Sequence, residues 1–370
     1  MVALSPAQVP QARFVLSYQQ HNITRNVSEH LVSLTYTDFL SGQADSLEVE
    51  LEDTLGQWRD AWYPGHGDTL TLSIGWEGAP LRTVGRLEID EVELSSPPST
   101  VTIHALATGI SGPVRTTEHR AYENLTLDAV AQQIATRLGL TLVGRIEPIQ
   151  LDRLTQQASD LIFLRNLAHD YDYAFKITGD KLVFHAISEL ANAAPVATHL
   201  LADLANIHLR DQIRTIPKAV QVKHKDPAKK QLIAYTLVNG ATVAVPSSAS
   251  QSTSSADLRK SRKRSISVEQ SKAKAKAQLA RANRERTTGR WSAMGQPQLV
   301  SGSVVTLLAA GKFGGDYLIT SSKHRMNRAG GYTVDTQACR IAAPSIGLTP
   351  DTLTPDLALS AYGIAHGVTV

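Results

Sequence analysis

The feature that most constrains the fold of this chain is a β-strand pattern that occurs twice, far apart in the sequence. Each copy has a turn that begins with glycine, an alternating strand, a second glycine turn and two further strands. The copies lie at residues 67–74, 85–92 and 101–105, and again at residues 302–308, 315–320 and 332–336. Alternation of apolar and polar residues is the period of a strand with one buried face. The chain is therefore predicted to contain two similar β-barrel units.

The two opening turns are the most direct point of comparison between the copies. Gly67-Asp68 opens the first copy and Gly302-Ser303 opens the second. We expect both turns to occupy equivalent places, because glycine tolerates a positive φ or a close approach of another backbone. With two such units per chain, three chains can form a ring of six similar units, which matches a threefold object to a sixfold one.

The sequence divides into a β region, a mixed region and a second β region. Residues 1–112 are predicted to form the first β domain. Residues 113–206 are predicted to form an α/β middle domain, because two segments with helical spacing precede a hairpin pattern. Residues 207–343 return to β with one inserted basic helix, and residues 344–370 are predicted to be an extended tail.

One strand of the first domain is strongly acidic on a single face. Glu48, Glu50 and Glu52 alternate with apolar residues at positions 47, 49 and 51. Three acids on one strand could imitate a glycosidase site, but a solvated face is the commoner meaning of this pattern. We expect some or all of the three to face a central channel of the assembled ring.

A basic segment contrasts with the acidic remainder of the chain. Residues 257–290 contain twelve Lys or Arg against three Asp or Glu, although the net charge of the whole chain is only +3. Ser267 is predicted to cap a helix there, with Gln270 as its capping-box partner.

Three uses of this basic helix remain open. Nucleic-acid binding is disfavoured because no aromatic residue lies among the charges, and membrane binding because the apolar seam is mostly alanine. We expect the helix to pack outside its own barrel, with Lys272, Lys276 and Arg284 in water or against a neighbouring domain or partner protein.

The motifs of common enzymes do not occur in the sequence. The twelve histidines show no HExxH spacing, and no GxSxG elbow or phosphate loop is present. Cys339 is the single cysteine, which rules out a disulfide framework or a cysteine zinc site within one chain. We therefore predict no catalytic, metal-binding or cofactor-binding residue and no cofactor. Neither a spanning helix nor a secretory signal is expected.

Two stretches resemble a known protein family. The run from Gly42 to Asp53, followed by Trp58 and the turn from Pro64 to Asp68, resembles the opening of phage late control D proteins. The run from Ser159 to Ala168, with the aromatic residues that follow it, is similar to a helix and hairpin of the wider hub family. That family includes the hub part of type VI secretion spike proteins.

The resemblance implies a baseplate hub of a contractile tail. Such a hub is a homotrimer with two tube-like β-barrel domains per chain, which together form a pseudo-hexameric ring. The ring would join the hexameric tail tube to a separate, trimeric central spike protein and line the channel for DNA or effectors, with DNA only as passing cargo.

The same resemblance implies further partners and a place of action. The partners are a tape measure protein and baseplate wedge or collar proteins, with no membrane involved. The protein would assemble in the host bacterial cytoplasm, reside in the tail baseplate of the virion, and have no catalytic activity. The alternatives are a peptidoglycan hydrolase of the tail tip and a nucleic-acid-binding protein that uses the basic helix.

Overall fold

The computed structural model describes residues 10–107, 116–214, 216–226, 231–239, 258–261, 265, 267–328 and 331–342. The chain is mainly β, with 53% of strand and 20% of helix. The predicted tail at residues 344–370 lies outside the described residues.

The N-terminal third forms seven strands and one short helix. They are β1 (Ala12–Tyr18), β2 (His21–Asn22), α1 (Thr24–His30), β3 (Leu31–Phe39), β4 (Ser46–Glu52), β5 (Thr69–Trp76), β6 (Arg82–Ser95) and β7 (Thr100–Leu106). The strands pair in the order β3-β4-β7-β6-β5-β1-β2, and every pair is antiparallel. We call the six longer strands, without β2, the first β unit.

The middle of the chain alternates strands and helices. Its elements are β8 (Thr117–Thr126), α2 (Leu127–Arg137), β9 (Thr141–Val143), β10 (Gln150–Ser159), α3 (Asp160–Tyr171), β11 (Tyr173–Thr178), β12 (Lys181–Ala186) and α4 (Ile187–Ala191). Ser159 caps α3, because its hydroxyl accepts a hydrogen bond from the Ile162 N–H group. Phe163, Phe175 and Phe184 lie in one buried cluster with the apolar side of α2, which gives this region its own core.

The C-terminal part returns to strands. Its elements are β13 (Pro195–Leu200), β14 (Ala205–Asp211), β15 (Ala219–Asp226), β16 (Gln231–Val238), β17 (Leu258–Lys260), α5 (Val268–Arg284), β18 (Thr287–Met294), β19 (Val304–Leu308), β20 (Gly315–Asn327) and β21 (Gly331–Ala342), with short 3-10 helices at Leu201–Asp203 and Gly311–Phe313. Six of these strands pair in the order β14-β18-β21-β20-β19-β13 and form the second β unit.

The two β units share one strand order. Taken in chain order, β1, β3, β4, β5, β6 and β7 occupy the same places in the first unit as β13, β14, β18, β19, β20 and β21 occupy in the second. One pair differs in direction, since β1 runs antiparallel to β5 but β13 runs parallel to β19. The six repeated segments read from the sequence fall in β5, β6 and β7, and in β19, β20 and β21.

The units join edge to edge into one sheet. The second half of β20 pairs with β3 over residues 321–327 and 33–39, while it also pairs with β21 on its other side. Eight strands therefore form a continuous ladder, in the order β6-β7-β4-β3-β20-β21-β18-β14. Among the described strands neither unit closes into a barrel.

The second unit carries an insertion that the first unit does not have. Residues 40–45 connect β3 to β4, but residues 212–286 connect β14 to β18. The insertion contains the small sheet β16-β15-β17 and helix α5, which buries Ala275 and Leu279 against Val220 and Val222 of β15. Ser267 caps α5 as predicted, by accepting a hydrogen bond from the Gln270 N–H group at 3.2 Å.

Candidate functional surface

One face of the eight-strand ladder is mostly polar, with Met294 as an exposed apolar member. Residues directly opposite each other in neighbouring strands point to the same face, so the register defines the members. A row across the sheet reads Glu91, His104, Glu48, Thr35 and Arg325. The charged or titratable members are Glu48, Glu50, Glu52, Glu91, Glu93 and His104 in the first unit, and His208, Arg210, Arg290, Lys323, Arg325 and Asp335 in the second. We call this surface the polar face.

The opposite face of the ladder is the core. In β4 the three glutamates alternate with Leu47, Val49 and Leu51, each of which is fully buried. The buried residues continue across the junction between the units, because Met326 and Tyr332 belong to the same hydrophobic cluster. The burial of the apolar residues of each strand therefore directs the polar residues to the other face.

The first unit supplies an acidic sector of the polar face. Glu50 accepts a hydrogen bond from Ser33 Oγ at 3.0 Å, and Glu52 lies 3.3 Å from the guanidinium of Arg328. Glu93 lies 3.8 Å from Nε2 of His104. The predicted acidic strand therefore belongs to a wider acidic surface that includes β6.

The second unit supplies a mainly basic sector of the polar face. Arg290 and Arg210 lie on its last two strands, and both are exposed. Arg325 pairs with Asp335 at 3.4 Å, and Asp335 also accepts a hydrogen bond from Ser292 Oγ at 2.6 Å. This sector has no local signal in the sequence, because its residues are spread over four strands and form no local run.

The two opening turns have the same backbone geometry. Gly67 and Gly302 both have φ of +82°. The Gly67 N–H group donates to the Ile89 carbonyl at 2.8 Å, and the Ile89 N–H group donates back to the Asp68 carbonyl at 2.9 Å. The same two hydrogen bonds, at 2.8 and 2.9 Å, are made in the second unit by Gly302, Ile319 and Ser303.

A buried ionic cluster holds the three regions together. Lys176 of β11 donates to Asp38 at 2.5 Å and to Asp45 at 3.0 Å. Asp38 also accepts hydrogen bonds from the Ser301 N–H group at 2.8 Å and from Ser301 Oγ at 2.7 Å. The cluster therefore links the first unit, the middle region and the second unit. We call it the junction cluster.

Two carboxylates share one ammonium group in the junction cluster. Burial, together with the neighbouring charge of Asp38, raises the pKa of Asp45 to about 6, against the opposing effect of Lys176. Burial would lower the pKa of Lys176, but attraction to Asp38 and Asp45 outweighs it and leaves that pKa raised. Sequence spacing gave no sign of this cluster, because Lys176 lies 138 residues from Asp38 and 131 residues from Asp45.

The structure separates the three basic residues predicted on the inserted helix. Lys272 and Lys276 are exposed on α5. Arg284 instead makes a two-pronged ion pair with Asp172, which follows α3, and both side chains are largely buried. Helix α5 therefore packs on α3 and on the sheet β16-β15-β17, and Arg284 contributes to that packing within the chain.

None of the described helices is long and apolar enough to cross a membrane. The described His, Cys, Asp and Glu side chains form no group of three that could hold a metal ion. Cys339 is buried, and burial raises the pKa of its thiol to about 11.

Two curated phage proteins are similar to this chain in sequence. The chain is 32% identical over 174 residues to a protein of Escherichia phage 186, and 33% identical over 174 residues to one of Escherichia phage P2. Each relative is named as a probable baseplate hub protein. The match spans 46% of this chain and only 44% of each relative. No family model matches the chain.

Solved structures with the same fold are tail proteins and a secretion component. A 43 kDa tail protein of prophage MuSo2 from Shewanella oneidensis superposes with a TM-score of 0.64 at 15% identity, over 89% of this chain and 98% of that chain. A tail protein from Neisseria meningitidis MC58 gives 0.63 at 11% identity, over 89% and 96%. A type VI secretion system component of Escherichia coli gives 0.52 at 11% identity, over 85% and 74%. The resemblance to phage hub proteins that the sequence indicated is confirmed.

Proposed function

We propose that this protein is the structural hub of a contractile tail baseplate, and that three copies form a ring of six similar units. The observation that carries the proposal is the shared strand order of the two β units, which are joined edge to edge in one sheet. A chain that already contains two similar units in lateral contact needs only two further copies to make a sixfold ring. The similarity to hub proteins of two phages supports the same function.

In this proposal the ring is an adaptor without catalysis. Its sixfold side contacts the hexameric tail tube, and its threefold side contacts the central spike protein. Tape measure and wedge or collar proteins are further partners, and the site of action is the tail baseplate of a particle assembled in the bacterial cytoplasm. The exposed Lys272 and Lys276 on α5 are the proposed contact of the inserted helix with such a partner.

The polar face is the proposed lining of the central channel. Each unit would contribute one sector, so acidic sectors with Glu48, Glu50 and Glu52 would alternate with mainly basic sectors around the axis. Carboxylates repel DNA phosphates, and interspersed sectors of both signs prevent a passing polyanion from binding along the whole wall. The two opening turns at Gly67-Asp68 and Gly302-Ser303 are then equivalent points of adjacent units.

The ring is tested by the mass of the full chain in solution, alone and with its spike protein. We expect a trimer, with an interface of well over roughly 2,000 Å² in total, as obligate interfaces have. A chain that stays monomeric at all concentrations, with and without the spike, and that shows no threefold density in particles would overturn the proposal.

The channel lining is tested by charge changes in assembled particles. Particles that carry Glu48→Lys, Glu50→Lys and Glu52→Lys together should assemble but eject DNA more slowly, because the wall would then attract phosphate. The matched control replaces the same three residues with glutamine, which should give an intermediate rate. Unchanged ejection in both variants would place these glutamates away from the channel.

A further inference from the structure

A cavity lies between helix α5 and the outer strands of the second β unit, with a volume of about 460 Å³. Glu285 is the single carboxylate among the described residues that line it. Four arginines line it as well, two from the sheet and two from the helix, and they are Arg210, Arg290, Arg281 and Arg284. We call it the arginine cavity.

The two arginines of the sheet are diagonal neighbours on the polar face. Arg210 pairs with Thr288, and Arg290, two residues further along β18, pairs with His208. Diagonal neighbours lie about 7–8 Å apart across a sheet, so two long side chains can reach one common point. Both arginines are exposed, and among the described residues neither forms a salt bridge. Their charges are therefore available to a ligand.

The two arginines of the helix are partly buried and held in place. Arg284 is fixed by its ion pair with Asp172, and Arg281 donates a hydrogen bond to the His169 carbonyl. Burial lowers the pKa of Arg281, and the charge of Arg284 adds to this effect, against the attraction of Asp172. The helix side of the cavity is therefore a preorganised positive wall, which reduces the entropy lost when an anion binds.

The strand ladders define which positions of the two β units match. Both β6 and β20 have an irregularity at the same place in the strand order, directly after Ile89 and Ile319. Counting across the ladders from this place gives pairs of matching residues. The pairs are Ala105 with Ala338, Leu47 with Gly289, and Tyr36 with Leu209.

The first unit has different residues where the second has its sheet arginines. By this count Thr37 corresponds to Arg210 and Glu48 corresponds to Arg290. The first unit also has only a six-residue connection where the second has the insertion with α5. The arginines therefore occur together with the helix that completes the cavity, and they are not a shared property of the β units.

We propose that the arginine cavity binds a compact ligand with two or more phosphate groups, which bridges helix α5 and the sheet. Guanidinium groups approach the cavity from two sides, so the anion needs acceptor oxygens in more than one plane. A phosphate group has them, whereas a carboxylate has two oxygens in one plane. A cavity of about 460 Å³ lies within the usual range of small-molecule sites and has room for more than one phosphate.

This site does not depend on the proposed ring, because all of its arginines belong to one chain. The same chemistry has two sources, a free polyphosphate compound and the triphosphate end of a nucleic acid. Both present several adjacent phosphates to the four guanidinium groups. The experiment therefore has one arm for each source.

A competing explanation is that the sheet arginines are ordinary surface charges. Surface charges of that kind attract any anion weakly, without a fixed stoichiometry and with strong screening by salt. A binding site takes one ligand per chain and requires particular arginines. The two explanations therefore differ in stoichiometry and in the effect of removing arginines elsewhere.

The test is calorimetric titration of the full chain with inorganic pyrophosphate, in a phosphate-free buffer at physiological salt. We expect one pyrophosphate per chain. Arg210→Gln and Arg290→Gln should each weaken binding about tenfold, because each removes a charge-assisted contact. The matched control combines Arg13→Gln with Arg25→Gln, which removes two exposed arginines near the N-terminus and should leave binding unchanged.

A milder variant keeps the test valid if a glutamine variant folds poorly. Arg290→Lys retains the charge but loses the planar, two-pronged donor, so its affinity for pyrophosphate should lie between those of the unmodified chain and Arg290→Gln. Undiminished binding in Arg210→Gln and in both variants of Arg290 would overturn the site.

Two oligothymidylates, with and without a 5′-triphosphate, identify the source of the phosphates. Tighter binding of the triphosphate form supports the end of a nucleic acid as the ligand. Equal, weak binding of both beside one tightly bound pyrophosphate supports a free polyphosphate compound. The proposal is overturned if pyrophosphate does not bind, if the control weakens its binding as much as Arg210→Gln does, or if a glutamate-rich peptide binds the cavity more tightly than pyrophosphate.

Discussion

The two β units have one strand order but different surroundings. The first unit has a six-residue connection after its edge strand β3, and that strand is covered on both sides by β4 and β20. The second unit has an insertion of residues 212–286 after its edge strand β14, and that strand has one neighbour among the described strands. Residues at matching positions therefore lie in different environments, which shows that strand order alone does not determine what a residue contributes.

Asp38 and Asp211 illustrate the difference most clearly. They follow the matching residues Thr37 and Arg210 on the two edge strands. Asp38 is buried in the junction cluster, whereas the side chain of Asp211 is 37% exposed and pairs with Arg286 at 3.1 Å. One aspartate connects three regions of the chain, and the other bonds to Arg286 of its own insertion and to Thr287 at the start of β18.

The largest expected effect separates these two aspartates. Asp38→Ala should lower the free energy of unfolding by about 4 kcal/mol, because it removes one member of a buried ionic cluster. Asp211→Ala should change it by less than about 1 kcal/mol, since the pair is partly exposed. Midpoints of urea unfolding for the two variants measure the difference. Equal losses of unfolding free energy would mean that the junction cluster stabilises the fold no more than the ion pair of Asp211 does.

The next effect is a pair of opposite pH trends. Burial raises the pKa of Asp45 from 3.8 to about 6 and lowers that of His324 from 6.5 to about 4. A raised carboxyl pKa stabilises the fold below pH 4, and this contribution is lost as the pH rises to 6. A lowered histidine pKa does the reverse, because its contribution is present above pH 6.5 and is lost as the pH falls to 4.

Single variants should reveal these trends, which oppose each other in the unmodified chain. The loss of unfolding free energy caused by Asp45→Asn should decrease by about 3 kcal/mol between pH 4 and 6.5. The loss caused by His324→Gln should increase by about the same amount over this range. Unfolding free energies measured across this pH range check the prediction. Parallel curves for either variant would show that its pKa is not shifted in the fold.

A smaller effect tests how firmly the insertion is held. Arg284→Ala should lower the free energy of unfolding by about 2 kcal/mol, because it leaves Asp172 without its charged partner at a site that keeps some solvent contact. Lys272→Glu with Lys276→Glu is the matched change on the exposed side of α5 and should cost less than about 0.5 kcal/mol. Thermal unfolding of the isolated chain measures both. A large loss in the lysine variant would mean that those side chains serve the chain's own core.

The smallest effect should be equal in the two units. Gly67→Ala and Gly302→Ala should each cost about 1–2 kcal/mol, because both glycines have a left-handed φ. An added Cβ would meet nothing within 4 Å at Gly67 and only ordinary contacts of 3.4 Å or more at Gly302. Chemical unfolding of the two variants side by side is the measurement. A loss of stability in one variant alone would show that the two turns contribute differently to the fold.

Local patterns predicted the local structure well. The alternation around Glu48 predicted β4, the helical spacing after Ser159 predicted α3, and the cap predicted at Ser267 starts α5. These signals act over a few residues, within the reach of strand period and cap chemistry. They also found the duplicated segments, because each copy repeats the same local signals.

Contacts between distant segments could not be predicted from the sequence. Lys176 meets Asp38 and Asp45 only after three regions have assembled, so no spacing in the sequence connects them. The pairing of β20 with β3 and the parallel direction of β13 likewise depend on how the units pack. Arg284 is a further example. A charged residue on a basic helix is expected to be exposed, but Arg284 is paired with Asp172, which is distant in the sequence.

The pairing of β3 with β20 also sets an order of events during synthesis. Residues 33–39 leave the ribosome well before their partners at residues 321–327 are made. At a synthesis rate of roughly 5–20 residues per second, the edge of β3 that pairs with β20 stays unpaired for on the order of tens of seconds. A bare strand edge can pair with a neighbouring nascent chain on the same messenger RNA. A strand that is translated later therefore covers the edge of an earlier one, and a ribosome that stalls before residue 321 holds a chain in which β3 can still pair with another strand.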